Sequence, residues 1–162
     1  MNDNSFFPIS DSMEMCTSQN FVISENTSMT ITSNQNANYE IIAINFLIQF
    51  TNNSSQNIIN TFYHFDDNLL SSLTIHSNNF SQLFELIGSI ALLTKLLELG
   101  ITTIKYHRWT HTSQPIEKHN IHILFFGNIE INNKYYDFNS SFVLDMSNDL
   151  VKVKNYDIHI FI

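Results

Sequence analysis

One cysteine, one arginine, two prolines and three glycines are all that this 162-residue sequence contains of those residue types. The lone Cys16 excludes an internal disulfide and a thiolate-only metal site. Arg108 is the single arginine, and 7 basic residues against 15 acidic ones leave a net charge of −8. Binding a phosphate backbone needs clustered Lys and Arg, so nucleic acid is not expected as a direct ligand. Uninterrupted apolar runs are also missing. The most apolar window, Leu83 to Ile101, is broken by Glu85, Lys95 and Glu98, which a bilayer core does not accept cheaply. The first residues, Met-Asn-Asp-Asn-Ser-Phe-Phe-Pro, lack the basic start and apolar core of a secretion signal. The expectation is a soluble intracellular protein with no cofactor. Triplets such as Asn52-Asn53-Ser54 and Asn139-Ser140-Ser141 then read as accidents of an Asn-rich composition rather than glycosylation acceptors.

What is present is apolar material enough for one core, at 43% hydrophobic and 13% aromatic residues. Residues 1–36 are dominated by Asn, Ser, Thr, Met and acidic side chains and are expected to form a tail, with short strand-like pieces at Asn20 to Ser24 and Met29 to Thr32. Residues 37–162 form the domain. Behind possible caps Asn36 and Asn38, the residues Ile41, Ile44, Ile48 and Phe46 or Leu47 predict a helix over Tyr39 to Phe50, ended by the polar stretch Thr51 to Ser55. Ile58, Ile59, Phe62 and Tyr63 predict a second, short helix. Leu69 to Ile75 and Gln82 to Ile87 read as strands around a polar loop. Gly88 then argues against one long helix, because glycine inside a helix costs about 1 kcal/mol against alanine. The helix is placed over Ser89 to Leu99, with Ser89 as N-cap, Gly100 at C′, and Leu92, Leu93, Leu96, Leu97 and Leu99 as the buried stripe.

Four further strands are predicted over Ile101 to Thr110, Ile121 to Ile131, Tyr135 to Asp145 and Leu150 to Ile162, with hairpin turns at Asn132-Asn133 and Ser147-Asn148-Asp149. In the third of these, Tyr136, Phe138, Phe142 and Leu144 share one parity. In the last, apolar parity changes between Val151/Val153 and Ile158/Ile160/Ile162, so a bulge near Lys154-Asn155 is needed to keep one face inward. The result is an α+β domain: a bent, mostly antiparallel sheet with about three helices on its concave face.

At several places the chain resembles the nuclear transport factor 2-like family. Gly88-x-x-x-Leu92-x-x-x-Leu96-x-x-Leu99 resembles its third helix, and Gln114-Pro115 stands where the family has Gln-Pro, followed at a compatible interval by Gly127. Asp137-Phe138-Asn139-Ser140-Ser141-Phe142-Val143-Leu144 resembles its Phe-x-x-x-Phe-x-Leu strand. That Asp-Phe-Asn start is most similar to the small subunit of the messenger-RNA export receptor heterodimer. Val153 to Ile160 sits where the family ends in Val-x-Asn-Asp-x-Phe-Arg, with Tyr156 in place of the aspartate and His159 in place of the arginine. The stretch between Tyr63 and Gly88 is longer than the family's. The carrier of Ran in its GDP form uses acidic residues before Gln-Pro, whereas this chain has Thr110-His111-Thr112-Ser113.

Three kinds of site follow. Histidine spacings (His107 and His111, His119 and His122) suggest a metal on a helix, but His107 lies on a predicted strand, where four residues span about 13 Å, so no metal site is expected. The resemblance implies a cone-like fold with a strongly bent sheet, and a cone pocket that enzymes such as ketosteroid isomerase and scytalone dehydratase use for acid/base chemistry, with candidates His64, Asp66, Asp67 and His122. Against that, His64-Phe65-Asp66-Asp67 reads as a solvated turn, and no catalytic residue is assigned. The strongest signal is apolarity on the wrong side of a strand. Ile121, Ile123 and Phe125 can face the helices, yet Leu124 and Phe126 are apolar too, which a sheet with one core does not require. Parts of the N-terminal tail folding back over this face would account for it, but in the family the outer sheet face is the dimer interface, and that reading is favoured. The expected partner face is therefore His122, Leu124, Phe126, Asn139, Ser141, Val143, Asp157 and His159, and the partner is the large subunit of a messenger-RNA export receptor, through which nucleoporins would be reached. Localisation in nucleus, cytoplasm and nuclear pore follows from that reading, and a homodimeric Ran-GDP import carrier or a cone-pocket lyase or isomerase are the alternatives.

Overall fold

Apolar residues at the start of the domain satisfy two overlapping helical registers at once, and the larger side chains win the core. The computed structural model describes residues 39–117, 119–148 and 150–162, so the expected tail and its caps lie outside the described residues. Helix α1, Tyr39–Gln56, buries Ile42, Ala43, Phe46, Leu47, Phe50 and Ser54, while Ile41 and Ile44 of the expected stripe are exposed. The helix also runs past Phe50 through the polar stretch. Thr51, Ser54 and Ser55 hydroxyls donate to carbonyls three residues back, at 3.1, 3.1 and 2.7 Å, which keeps these poor helix formers satisfied inside the helix. A 3₁₀ helix, Ile58–His64, follows, capped by the Asn57 side chain, which accepts from the Ile59 amide at 2.9 Å.

Strands β1 (Phe65–His76) and β2 (Ser81–Ile87) form the hairpin that the long Tyr63 to Gly88 interval encodes. Helix α2, Ser89–Glu98, comes next. Its N-cap is Gly88, at φ 91°, and not Ser89, whose buried position lies inside the first turn. Its end is as expected: Gly100 at φ 75° lets its own amide reach the Leu97 carbonyl and the Ile101 amide reach Leu96, both at 2.9 Å, with Ile101 buried. Leu97 and Leu99 are exposed, leaving Leu92, Leu93 and Leu96 as the buried stripe.

Strands β3 (Lys105–Glu117), β4 (Asn120–Ile131), β5 (Lys134–Asp145) and β6 (Lys152–Phe161) complete one six-stranded sheet in the order β2-β1-β6-β5-β4-β3. Only the β1–β6 pair is parallel. β3 starts and ends later than expected. Ile101 and Ile104 are instead a buried link, the Ile104 amide donating to the Ser54 carbonyl at 3.0 Å. The segment before Gln114-Pro115, beyond the expected end of this strand at Thr110, is strand as well, and Pro115 is tolerated because β3 ends the sheet among the described residues. The β4–β5 turn is the expected Asn132-Asn133, both at positive φ (52° and 62°) as a two-residue hairpin turn demands.

Two of the register shifts bear directly on the inner face. On β6, Val143 pairs Asn155 while Leu144 pairs Val153, so Lys154 is the extra residue, and Val153, Tyr156, Ile158 and Ile160 all turn inward. On β3, Tyr106 pairs Ile129 while Trp109 pairs Gly127. The bulge presses against Gly127, where a Cβ would lie 1.9 Å from the Arg108 carbonyl oxygen and 2.7 Å from the Trp109 Cα. With φ at 153° as well, Gly127→Ala is expected to cost about 2–3 kcal/mol, read as a lower midpoint in urea unfolding at unchanged slope. A variant as stable as the parent would show that the bulge is not held by this contact.

The inner face is closed by rings. Phe50 lies 5.2 Å from Phe142, 5.7 Å from Phe46 and from Tyr156, and 6.1 Å from Phe65. Phe125 and Phe138 continue the cluster toward Tyr106. Leu92, Leu96, Phe138, Phe142, Leu144, Ile158 and Ile160 are buried there as expected, whereas Tyr136 is half-buried and Ile162, at the strand end, is exposed.

Candidate functional site

With α1, the 3₁₀ helix and α2 on the inner face, the outer face of β4, β5 and β6 is left without a covering element among the described residues. Antiparallel pairing sets residues directly opposite one another on the same face. His122 pairs Val143, which pairs Asn155; Leu124 pairs Ser141, which pairs Asp157; Phe126 pairs Asn139, which pairs His159. All eight residues expected to share a surface therefore stand in three adjacent rows. Leu124 and Phe126 are 46% and 43% exposed, values far from those of Ile123 and Phe125 beside them, which are fully buried.

The rows surround a depression of about 440 Å³ lined by Ser72, Leu124, Phe126, Asn139, Ser141, Asp157 and His159. Its apolar wall is Leu124 and Phe126, and its opposite wall is polar. There the Ser72 hydroxyl donates to Asp157 Oδ1 at 2.8 Å, and His159 Nδ1 lies 3.0 Å from His76 Nε2. The two imidazoles are stacked at 5.3 Å, and His76 stacks on Phe161 at 4.6 Å. Nearer the other end, His122 Nε2 is 3.1 Å from the Ser141 hydroxyl. A surface with preformed polar partners and half-exposed apolar side chains can dock a protein face.

Ser72 and His76 are absent from the face expected from sequence. They belong to it only because β1 lies parallel beside β6, pairing Ser72 with Asp157 and Thr74 with His159, and nothing local in the sequence announces that pairing.

The acid/base candidates are not brought together. His122 is on the outer face. Asp66 and Asp67 start β1, where Asp66 Oδ1 accepts from the Asn68 amide at 2.8 Å and Asp67 is exposed. His64 and Phe65 are not a solvated turn; both are buried. The His64 ring packs edge-on to Phe46 at 5.7 Å, with Nε2 2.9 Å from Asn53 Nδ2. That nitrogen accepts from the Asn53 amide, which places the ring proton on Nδ1. Burial, with a smaller push from the Lys152 charge, pulls the His64 pKa down to about 4, so the ring is neutral near pH 7. Burial likewise pushes the Tyr106 and Tyr156 hydroxyls up, so neither is a phenolate.

Of the histidines read for metal, His107 reaches Glu130 Oε2 at 3.0 Å on the outer side, whereas His111 pairs Phe125 on the inner side. Among the described residues, no group of three or more His, Cys, Asp or Glu is placed to hold a metal ion. No described helix is long and apolar enough to cross a membrane.

No protein-family model and no curated protein matches the sequence. Solved structures do match, and they share the nuclear transport factor 2-like fold. A chain of the C. albicans Mtr2–Mex67 M domain complex is similar at TM-score 0.62 and 11% identity, over 75% of this chain and 94% of that one. Nuclear transport factor 2 from Cryptosporidium parvum is similar at TM-score 0.61 and 13% identity, over 80% and 99%. A putative ketosteroid isomerase from Parabacteroides distasonis is similar at TM-score 0.56 and 11% identity, over 82% and 95%.

Proposed function

We propose that this chain, with its nuclear transport factor 2-like fold, is a non-catalytic protein-binding subunit that docks a larger partner on the outer face of β4, β5 and β6. The observation that carries this reading is the pair Leu124 and Phe126, half-exposed beside a depression on a sheet face whose other side already has a complete core. Exposed apolar side chains ringed by polar ones are the make-up of a docking surface. The interior supports the same reading, because the cone is filled by Phe46, Phe50, Phe65, Phe142 and Tyr156 where an enzyme of this fold would need room for a substrate.

The partner we propose is the large subunit of a messenger-RNA export receptor, carrying a domain of the same fold and placing the pair at the nuclear pore, in nucleus and cytoplasm. Two features favour it: the Asp137-Phe138-Asn139 strand resemblance and the similarity to a chain crystallised in the Mtr2–Mex67 M domain complex. A charge of −8 suits a subunit that leaves RNA contact to its partner.

Phe126→Asp tests the surface. The substitution puts a carboxylate where docking must strip its water, while Phe126 contributes little to the monomer core. Size-exclusion chromatography with light scattering, on the chain co-expressed with the receptor's domain, should show a heterodimer for the parent and at least tenfold weaker association for the variant, at unchanged melting temperature. A parent chain that stays monomeric beside the receptor would end this reading.

A further inference from the structure

β2 is the last strand on its side of the sheet, and among the described residues no strand lies beyond it. Its register with β1 is unbroken from Leu70↔Ile87 to His76↔Ser81. The Gly88 amide donates to the Leu69 carbonyl at 2.7 Å. Hydrogen-bonded pairs alternate along an antiparallel ladder, so Gln82, Phe84 and Leu86 turn their backbone groups toward β1. Leu83, Glu85 and Ile87 turn theirs away, and their side chains stand on the outer face beside Leu70. Natural sheet edges are blunted by proline, charged side chains or a bulge, and β2 has no proline, no lysine and no bulge. Leu83 and Ile87 are instead 57% and 77% exposed, with a single charge, Glu85, between them.

We propose that the free edge of β2 takes an extended segment of another protein as an added antiparallel strand. That segment carries a lysine or arginine opposite Glu85 and apolar residues two positions to either side, opposite Leu83 and Ile87. Main-chain bonds to the three outward residues supply the affinity, and the alternating side chains supply the selection. Charge decides the occupant. A second copy of the chain paired about Glu85 would set two carboxylates opposite one another, which is destabilising in a strand pair, and each copy already carries −8. A basic, foreign segment meets neither obstacle. The free edge points away from the Leu124 and Phe126 depression, whose lining reaches only as far as Ser72, the residue paired with Glu85.

The capped heptapeptide Thr-Val-Thr-Lys-Thr-Val-Thr serves as the probe, titrated into the full chain and followed by NMR amide exchange. Binding should slow exchange at the Leu83, Glu85 and Ile87 amides. The same peptide with Glu for Lys should bind at least tenfold more weakly, and Glu85→Lys should reverse that preference. Leu83→Pro should abolish protection while leaving the far-UV spectrum intact, since the Leu83 amide makes no bond to β1. Three results would overturn the proposal: no protection at millimolar peptide, protection indifferent to Glu85→Lys and Leu83→Pro, or a homodimer that Leu83→Pro dissolves. None of these depends on whether Phe126→Asp disturbs the receptor complex.

Discussion

Phe142→Ala should lower the unfolding free energy by about 3–5 kcal/mol, the range for removing a fully buried phenylalanine. The ring is enclosed on several sides: stacked on Tyr156 at 4.6 Å, edge-on to Phe46 and Phe50 at 5.2 Å each, and 6.2 Å from Phe125. Those partners come from α1, β4 and β6, so they cannot collapse together into the space without moving a helix against the sheet. Equilibrium urea unfolding provides the number. A loss under about 1 kcal/mol would mean that the ring cluster is not the structural centre of the domain.

Acidification should destabilise the parent by about 3 kcal/mol more than His64→Gln, all of it between pH 6.5 and pH 4. The size is the drop of the His64 pKa from 6.5 to about 4, at about 1.4 kcal/mol per unit. The sign follows from proton uptake. In the fold the buried ring stays neutral down to about pH 4, whereas in the unfolded chain it takes a proton below about 6.5. Stability is therefore complete above 6.5, falls as pH drops through that window, and levels off beneath it. Glutamine has no charge to acquire and retains an oxygen able to accept from Asn53, so its curve lacks this component. Asp145, held below the usual carboxylate range by Lys154 and the Ser147 amide in spite of partial burial, contributes acid sensitivity to both proteins and cancels in the comparison. Parallel stability curves for parent and variant would show that His64 does not titrate as a buried base.

Where one strand faces water on one side, parity alone tells inside from outside. This is why Phe138, Phe142 and Leu144 on β5, and the Lys154 bulge on β6, are legible in the sequence. Where apolar residues crowd both registers, parity fails. On α1 the isoleucines at 41 and 44 and the larger set at 42, 43, 46, 47 and 50 are equally periodic, and only packing against the sheet selects the second. The extension of α1 through Thr51 to Ser55 is hidden for a related reason: serine and threonine are breakers by propensity, but their hydroxyls find carbonyls, and the Ser54 carbonyl finds the Ile104 amide.

The candidate site divides along the same line. By itself the sequence determined that β4 is apolar on both faces, that β5 and β6 offer Asn139, Ser141, Asp157 and His159 in matching parity, and that the chain is acidic and nearly without arginine. Each of these is a property of neighbours along the chain, where strand period does the work. Only the tertiary structure decided that β1 lies beside β6, adding Ser72 and His76 to the face, that His64 is enclosed by rings, and that β2 is the last strand on its side among the described residues. The first rests on contacts between residues 83 and 85 positions apart, the second on packing of His64 against Phe46 in another element, and the third on which strand ends the sheet. No local period encodes them, because they are settled by how the helices and the whole sheet share one core.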